Sequence, residues 1–144
     1  MGLILDSDVL ISSERRRFDL PAFLSANGKE HLFIAAVTAS ELLHGVERAT
    51  AKWKESRSLF VERVLSTIET IDFDIHVARR HATIWAKLEA SGKLIGAHDI
   101  QIAATALHHG HGLVTLNTRE FERVAGLHLP DPRPYVLTEG VNPS

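Results

Sequence analysis

The sequence contains no cysteine, which excludes disulfides, thiolate metal sites and cysteine nucleophiles. Any bound metal must therefore be held by oxygen or by histidine. The sequence also lacks the roughly 20 consecutive apolar residues of a membrane span, and Asp6 interrupts the first apolar stretch, where a secretion signal would need an unbroken one. We therefore expect a cytoplasmic protein that has no contact with a membrane.

The sequence has little net charge of either sign. Its 16 basic and 18 acidic residues give a formal charge of −2, whereas nucleic-acid-binding proteins usually carry a basic surface or a basic stripe. If the substrate is RNA, the contact must therefore be local.

Short apolar runs alternate with amphipathic segments along the 144 residues. Four apolar runs have the length of buried strands, at residues 2–5, 32–36, 113–116 and, more weakly, 68–73. Helical spacing covers 7–27 with a break before Pro21, then 38–49, 53–68, 74–90 and a segment after Asp99. This alternation predicts an α/β fold with a mostly parallel sheet. We expect one domain over residues 1–135 and an irregular proline-containing tail over residues 136–144.

Three acidic residues follow or begin predicted elements. Asp6 follows the first strand, Glu41 lies just inside the helix after the second, and Asp99 begins the helix that leads to the strand at Leu113. In parallel α/β sheets, ligands bind beyond the carboxyl ends of the strands. If the three acids converge there, their repulsion calls for a cation, and oxygen ligands without thiolates favour Mg²⁺ or Mn²⁺.

Each acid also has a purely structural explanation. Thr38 and Glu41 have the spacing of a capping box, in which Glu41 would cap its own helix. Asp99 would be favoured by the helix dipole at the start of a helix. Asp6 and Asp8 would cap the first helix. The residues alone leave these alternatives open.

Four motifs, taken in order, resemble the PIN-domain ribonucleases, and among them the VapC-like toxins of type II toxin–antitoxin pairs. The resemblance spans nearly the full chain and rests on LDSDVLI (5–11), TASELLHG (38–45), HDIQIAA (98–104) and LVTLNTREF (113–121). It implies a three-layer fold in which helices flank a mostly parallel sheet of four or five strands.

The resemblance also implies roles for particular residues. Asp6, Glu41 and Asp99 would be the three shared acids and would bind metal, with Asp6 and Asp99 as the direct ligands. Many members have an aspartate in the fourth motif, where this chain has Asn117 and Glu120, so Glu120 is the candidate for the fourth acid. Asp8 replaces the common asparagine. Substrate contacts would come from Ser7, Asn117 and Arg119.

The implied activity is Mg²⁺- or Mn²⁺-dependent hydrolysis of RNA by a metal-activated water, leaving a 3′-hydroxyl and a 5′-phosphate. The implied partners are an RNA substrate, a cognate VapB-like antitoxin and a second copy of the chain. Apolar surface around Trp53 and Phe60 would serve the protein partners.

Other features compete with this interpretation. The LDSDV motif also fits a haloacid-dehalogenase-like phosphatase, in which Asp6 would be the nucleophile, although a downstream lysine followed by paired aspartates is missing. A non-enzymatic α/β interaction module is the alternative of another class. His108, His109 and His111 are interpreted as residues favoured at a helix end rather than as metal ligands. Trp85, at helical spacing, is predicted to lie in the core.

Overall fold

The computed structural model describes residues 1–28 and 30–138. Its centre is a sheet of four parallel strands in the order β3-β2-β1-β4. The strands are β1 (Leu3–Leu5), β2 (Leu32–Ala35), β3 (Glu69–Ile71) and β4 (Gly112–Val114). The predicted α/β class and mostly parallel sheet are confirmed.

Helices connect and cover the strands. They are α1 (Ser7–Glu14), α2 (Leu20–Ala26), α3 (Ala36–Arg48), α4 (Ala51–Thr67), α5 (Ile75–Ala90), α6 (Ala97–His109) and the short α7 (Thr118–Phe121), followed by a 3₁₀ turn at Arg133–Tyr135.

The sheet separates two apolar cores because neighbouring side chains of a strand point to opposite faces. In β1, Leu3 and Leu5 pack in a core that includes Val61 of α4, whereas Ile4 packs in a core that includes Ala103 of α6. The fold therefore has three layers, as predicted, and both faces of the sheet are covered by helices.

Helix α3 begins three residues earlier than the capping-box interpretation requires, which would make Thr38 the N-cap. Its N-cap is Ala35, which ends β2, and no side chain caps it. Thr38 is fully buried inside the helix. The capping-box prediction is therefore wrong, because the chain passes from β2 into α3 without a capping turn. Glu41 needs another explanation.

Trp85 also differs from expectation, since 49% of its surface is exposed. The buried face of α5 is formed by Val77, Ile84 and Leu88, and Trp85 lies on the flank of that face. Its ring makes an edge contact with His81, at 5.7 Å between centroids. Helical spacing identified an amphipathic helix but not the edge of its buried stripe.

The chain after the 3₁₀ turn contacts the segment between α1 and α2. Val136 forms an antiparallel bridge with Phe18, and the Leu137 N–H donates to the Arg17 carbonyl at 2.9 Å. The predicted irregular tail lies outside the described residues from position 139 onward, so the domain boundary at 135 stays a prediction.

Within the described residues, no helix is both long enough and apolar enough to cross a bilayer.

Candidate metal centre

The acidic residues meet where the order of the strands changes direction. From β1 the chain continues to β2 and β3 on one side, and β4 joins β1 on the other. Ligands of parallel α/β sheets bind beyond the carboxyl ends of the two strands at such a point. Here Asp6 follows β1 and Thr115 follows β4, and the Asp6 N–H donates to the Val114 carbonyl at 3.0 Å.

Asp6 is almost completely buried, with 6% of its surface exposed. It is the N-cap of α1, and its Oδ1 accepts the Ser7 N–H at 2.8 Å. Its Oδ2 accepts the Thr115 hydroxyl at 2.8 Å. Burial raises the pKa of Asp6, and the two hydrogen bonds oppose that rise. Capping therefore accounts for one carboxylate oxygen, while the other is held by Thr115, the residue directly after β4.

Asp8 lies beside Asp6 and binds the chain after β4. The Leu116 N–H lies 3.2 Å from its Oδ2, and the Thr115 hydroxyl lies 3.4 Å from the same oxygen. Burial and the neighbouring charge of Asp6 raise the pKa of Asp8 to about 7. Its position as a second acid in the motif thus adds charge to a crowded site.

Glu41 reaches the same region from α3. Its Oε2 lies 3.9 Å from Nδ1 of His98, whereas its Oε1 is buried and has no hydrogen-bond partner. Burial raises the pKa of Glu41, the charge of Asp6 raises it further, and His98 acts in the opposite direction. A buried carboxylate oxygen without a partner is energetically costly, and a cation would remove that cost.

Asp99 occupies the first turn of α6 and faces Glu120 of α7. Burial raises the pKa of Asp99 to about 6, helped by the charges of Asp6, Glu120 and Glu41 and by a hydrogen bond with Glu120. The Asn117 side-chain amide donates to Glu120 at 2.8 Å. We call Asp6, Asp8, Glu41, Asp99 and Glu120 the acid cluster.

The remaining predicted residues lie around the cluster in different ways. Ser7 is half-buried and its backbone N–H binds Asp6. Asn117 is exposed and orients Glu120, and Arg119 is exposed on α7. Sequence reasoning missed Thr115, whose available signal was a polar residue directly after an apolar strand.

The donor set fits a hard divalent cation in its chemistry. All the donors are carboxylate oxygens, the charge of Asp6 raises the pKa values of Glu41 and Asp99, and one buried oxygen of Glu41 has no hydrogen-bond partner. Within residues 1–28 and 30–138, however, no three acidic or histidine side chains already surround a single ion position. Binding would require side chains of these acids to move closer together.

Fold and site together define the class: a three-layer α/β protein with an acidic, cation-attracting centre at the switch point of a parallel sheet. Residues 3–127 match the PIN domain family. The chain is 37% identical to ribonuclease VapC1 of Rickettsia felis over 128 residues, which cover 88% of this chain and 93% of the relative. It is 35% identical to the tRNA(fMet)-specific endonuclease VapC of Shigella flexneri over 138 residues, covering 91% and 98% of the two chains.

Solved structures agree with the sequence relatives. A chain of DNA-bound VapBC from Salmonella typhimurium superimposes with a TM-score of 0.81 at 30% identity, covering 91% of this chain and 98% of that one. A chain of VapBC2 from Rickettsia felis bound to a promoter DNA fragment superimposes with a TM-score of 0.81 at 26% identity. The match covers 90% of this chain and 98% of that one. The chain belongs to the PIN-domain family, in its VapC group. PIN-domain ribonucleases generally use divalent metal ions, and the phosphatase alternative finds no support among these relatives.

Proposed function

We propose that this protein is an endoribonuclease toxin of the VapC type that hydrolyses RNA phosphodiester bonds with the help of Mg²⁺ or Mn²⁺. The observation that carries the proposal is the acid cluster, in which the charge of Asp6 raises the pKa values of Asp8, Glu41 and Asp99 at the switch point of a PIN fold. The named relatives of this chain are ribonucleases. The domain is proposed to extend over residues 1–135.

The metal ligands are proposed to be Asp6, Asp99, Glu41 and Glu120, with Asp6 and Asp99 binding the ion directly. A bound divalent ion lowers the pKa of water and offsets the negative charge that develops on the phosphate during hydrolysis. Mg²⁺ and Mn²⁺ are favoured because both accept oxygen ligands, and Mg²⁺ keeps several waters when one or two carboxylates hold it.

The chain's own residues position the reactants. The Thr115 hydroxyl holds one oxygen of Asp6, so that carboxylate is fixed between β1 and β4. Asn117 fixes Glu120 in the same way. Ser7, Asn117 and Arg119 are proposed to contact the RNA. Water adds to phosphorus and gives up a proton, the bond between phosphorus and the 3′-oxygen breaks, and the 3′-oxygen takes up a proton to leave as the 3′-hydroxyl, while the phosphate stays on the 5′-oxygen.

The site assignment is tested by RNA cleavage with isosteric variants. In Mn²⁺ we expect Asp6→Asn and Asp99→Asn to abolish cleavage, and Glu41→Gln and Glu120→Gln to slow it strongly. The matched control is Asp72→Asn, which changes an exposed aspartate outside the cluster and should cleave like the wild type. Full activity of Asp6→Asn would refute the assignment, provided that its circular dichroism spectrum is native.

A neighbouring groove, which shares Glu41 with the acid cluster, is proposed to bind the antitoxin. Residues of α1, α3 and α4 enclose an apolar groove of about 360 Å³. Leu42 and Val46 of α3 face Phe60 and Val61 of α4, and the exposed Trp53 lies at the rim. The solved relatives are VapBC complexes, and an amphipathic segment of a VapB-like antitoxin would fill such a groove with its apolar face.

Co-expression tests the partner assignment. A small open reading frame beside the gene should encode a protein that co-purifies with this chain and suppresses its toxicity. Val46→Asp should abolish co-purification while RNA cleavage persists, and unchanged co-purification would refute the groove assignment. A homodimer is proposed as well, and light scattering of the purified chain at its working concentration measures it.

A further inference from the structure

One face of α3 carries three polar side chains that the proposed chemistry does not use. Ser40, His44 and Arg48 follow one another at intervals of four residues, so they lie on one stripe of the helix. All three are exposed. They line an open cavity of about 420 Å³ together with Ser7, Glu41 and His98.

This cavity is continuous with the acid cluster. Glu41 lines it and belongs to the cluster, and Arg48 lies seven residues further along α3. At 1.5 Å per residue, Arg48 is about 10 Å from Glu41 along the helix axis. The stripe therefore leads from the proposed cleavage position outward.

The chemistry of the stripe suits an anion. A serine hydroxyl donates one hydrogen bond, an imidazole donates at least one in either protonation state, and a guanidinium donates up to five. Arginine binds phosphate through paired hydrogen bonds. Among the residues that line the cavity, Glu41 is the sole carboxylate and lies at the cluster end. Within the described part of the chain, Arg48 forms no ion pair.

We propose that Ser40, His44 and Arg48 form a phosphate subsite that holds the RNA backbone next to the scissile phosphodiester. The proposal rests on the proposed ribonuclease function and deepens it. A net charge of −2 gives no broad attraction for RNA, so a few local donors must supply it. Phosphate contacts of this kind set the register of a strand without reading its sequence.

Binding is measured by fluorescence anisotropy with a short labelled oligoribonucleotide. The full-length chain carries Asp99→Asn throughout, so that the RNA is not cut during the measurement. Arg48→Gln is added to it, and Arg63→Gln is the control, since it removes the same charge from an exposed position on α4 outside the cavity. Each variant is titrated over a series of salt concentrations.

We expect Arg48→Gln to weaken binding about tenfold, the loss of a charged hydrogen bond, and to reduce the slope of log affinity against log salt by about 0.7, the value for one phosphate contact on a single strand. His44→Gln should weaken binding by a smaller factor, and Arg63→Gln should match its parent. In the cleaving background, Arg48→Gln should raise KM and leave kcat nearly unchanged.

Equal affinity and equal salt slope for Arg48→Gln and Arg63→Gln would overturn the subsite. So would an Arg48→Gln variant that loses antitoxin binding while its RNA binding is unchanged, since the stripe would then serve the protein partner. Failure of the ribonuclease proposal looks different: the wild type would not cleave RNA at all, whatever the outcome at Arg48.

Discussion

Replacement of Asp99 by asparagine should change the stability of the protein in opposite directions without and with a divalent ion. In the absence of an ion, the folded state holds a partly buried carboxylate next to Asp6, Glu120 and Glu41. Asparagine has nearly the same shape and no charge. The variant should therefore be more stable than the wild type when divalent ions are removed.

The raised pKa sets the magnitude and the pH range of this effect. The pKa of Asp99 rises from 3.8 to about 6 on folding. One pKa unit corresponds to about 1.4 kcal/mol, so the ionised carboxylate lowers the free energy of unfolding by about 3 kcal/mol before screening by water is considered. Asp99 is partly exposed, and water screens its charge, which leaves about 1 kcal/mol. Because the folded-state pKa is raised, the penalty is absent below the unfolded pKa, grows between 3.8 and about 6, and is complete above that.

Thermal unfolding in EDTA measures the effect. At about pH 8, where the penalty is complete, Asp99→Asn should unfold about 4 °C above the wild type. With Mn²⁺ the wild type should unfold at a higher temperature than Asp99→Asn. An ion at 100 times its Kd stabilises the folded wild type by about 2.7 kcal/mol, and the variant lacks one ligand.

Asp72→Asn serves as the control, because it removes an exposed carboxylate outside the cluster and should unfold like the wild type in both buffers. Two results would refute the reasoning. One is a variant that is less stable than the wild type in EDTA, and the other is an equal stabilisation of both proteins by Mn²⁺.

Two further substitutions test individual contacts. Thr115→Val removes the hydroxyl that donates to Asp6 and keeps nearly the same side-chain shape. Calorimetry should show that Mn²⁺ binds roughly tenfold more weakly, the effect expected for the loss of a charged hydrogen bond. Unchanged affinity would mean that Thr115 does not position Asp6. His111 accepts the Gly2 N–H through Nδ1, and its ring stacks on Phe33 at 4.6 Å between centroids. Burial lowers the pKa of His111. The charges of His109, His31 and the N-terminus lower it further, and the charge of Glu30 opposes them. The folded state favours the neutral imidazole, so the free energy of unfolding should fall as the pH drops below 6.5, the pKa of His111 in the unfolded chain. In urea unfolding, His111→Phe should lose less stability than the wild type over that pH range. Identical pH dependence of the two proteins would contradict this.

The sequence predicted the order of the four strands and of the helices from α1 to α6, because each has its own periodicity, but it did not predict the short α7. It also placed Asp6, since an acid directly after a buried strand must lie at the carboxyl edge of a parallel sheet, whereas Glu120 was named only through the resemblance to the PIN-domain ribonucleases. Asp6 meets this condition through its position after β1. Local spacing and a general rule about sheets are enough to place such a residue.

What the sequence did not reveal depends on contacts between distant segments. Thr115 is 109 residues from Asp6, so no local pattern connects the two. The capping box failed because Thr38 and Glu41 have the right spacing, but β2 runs directly into α3 and moves the helix start to Ala36. The prediction that Trp85 lies in the core was wrong because the angular width of the buried stripe depends on what packs against α5.

The central claim is that the acid cluster cleaves RNA through a divalent ion. The most direct measurement is cleavage of a labelled RNA by the purified wild type after dialysis against EDTA, followed by addition of Mg²⁺ or Mn²⁺ to the same sample. We predict no cleavage in EDTA and recovery of cleavage on addition of either ion. Cleavage at an undiminished rate in metal-free EDTA buffer would contradict it.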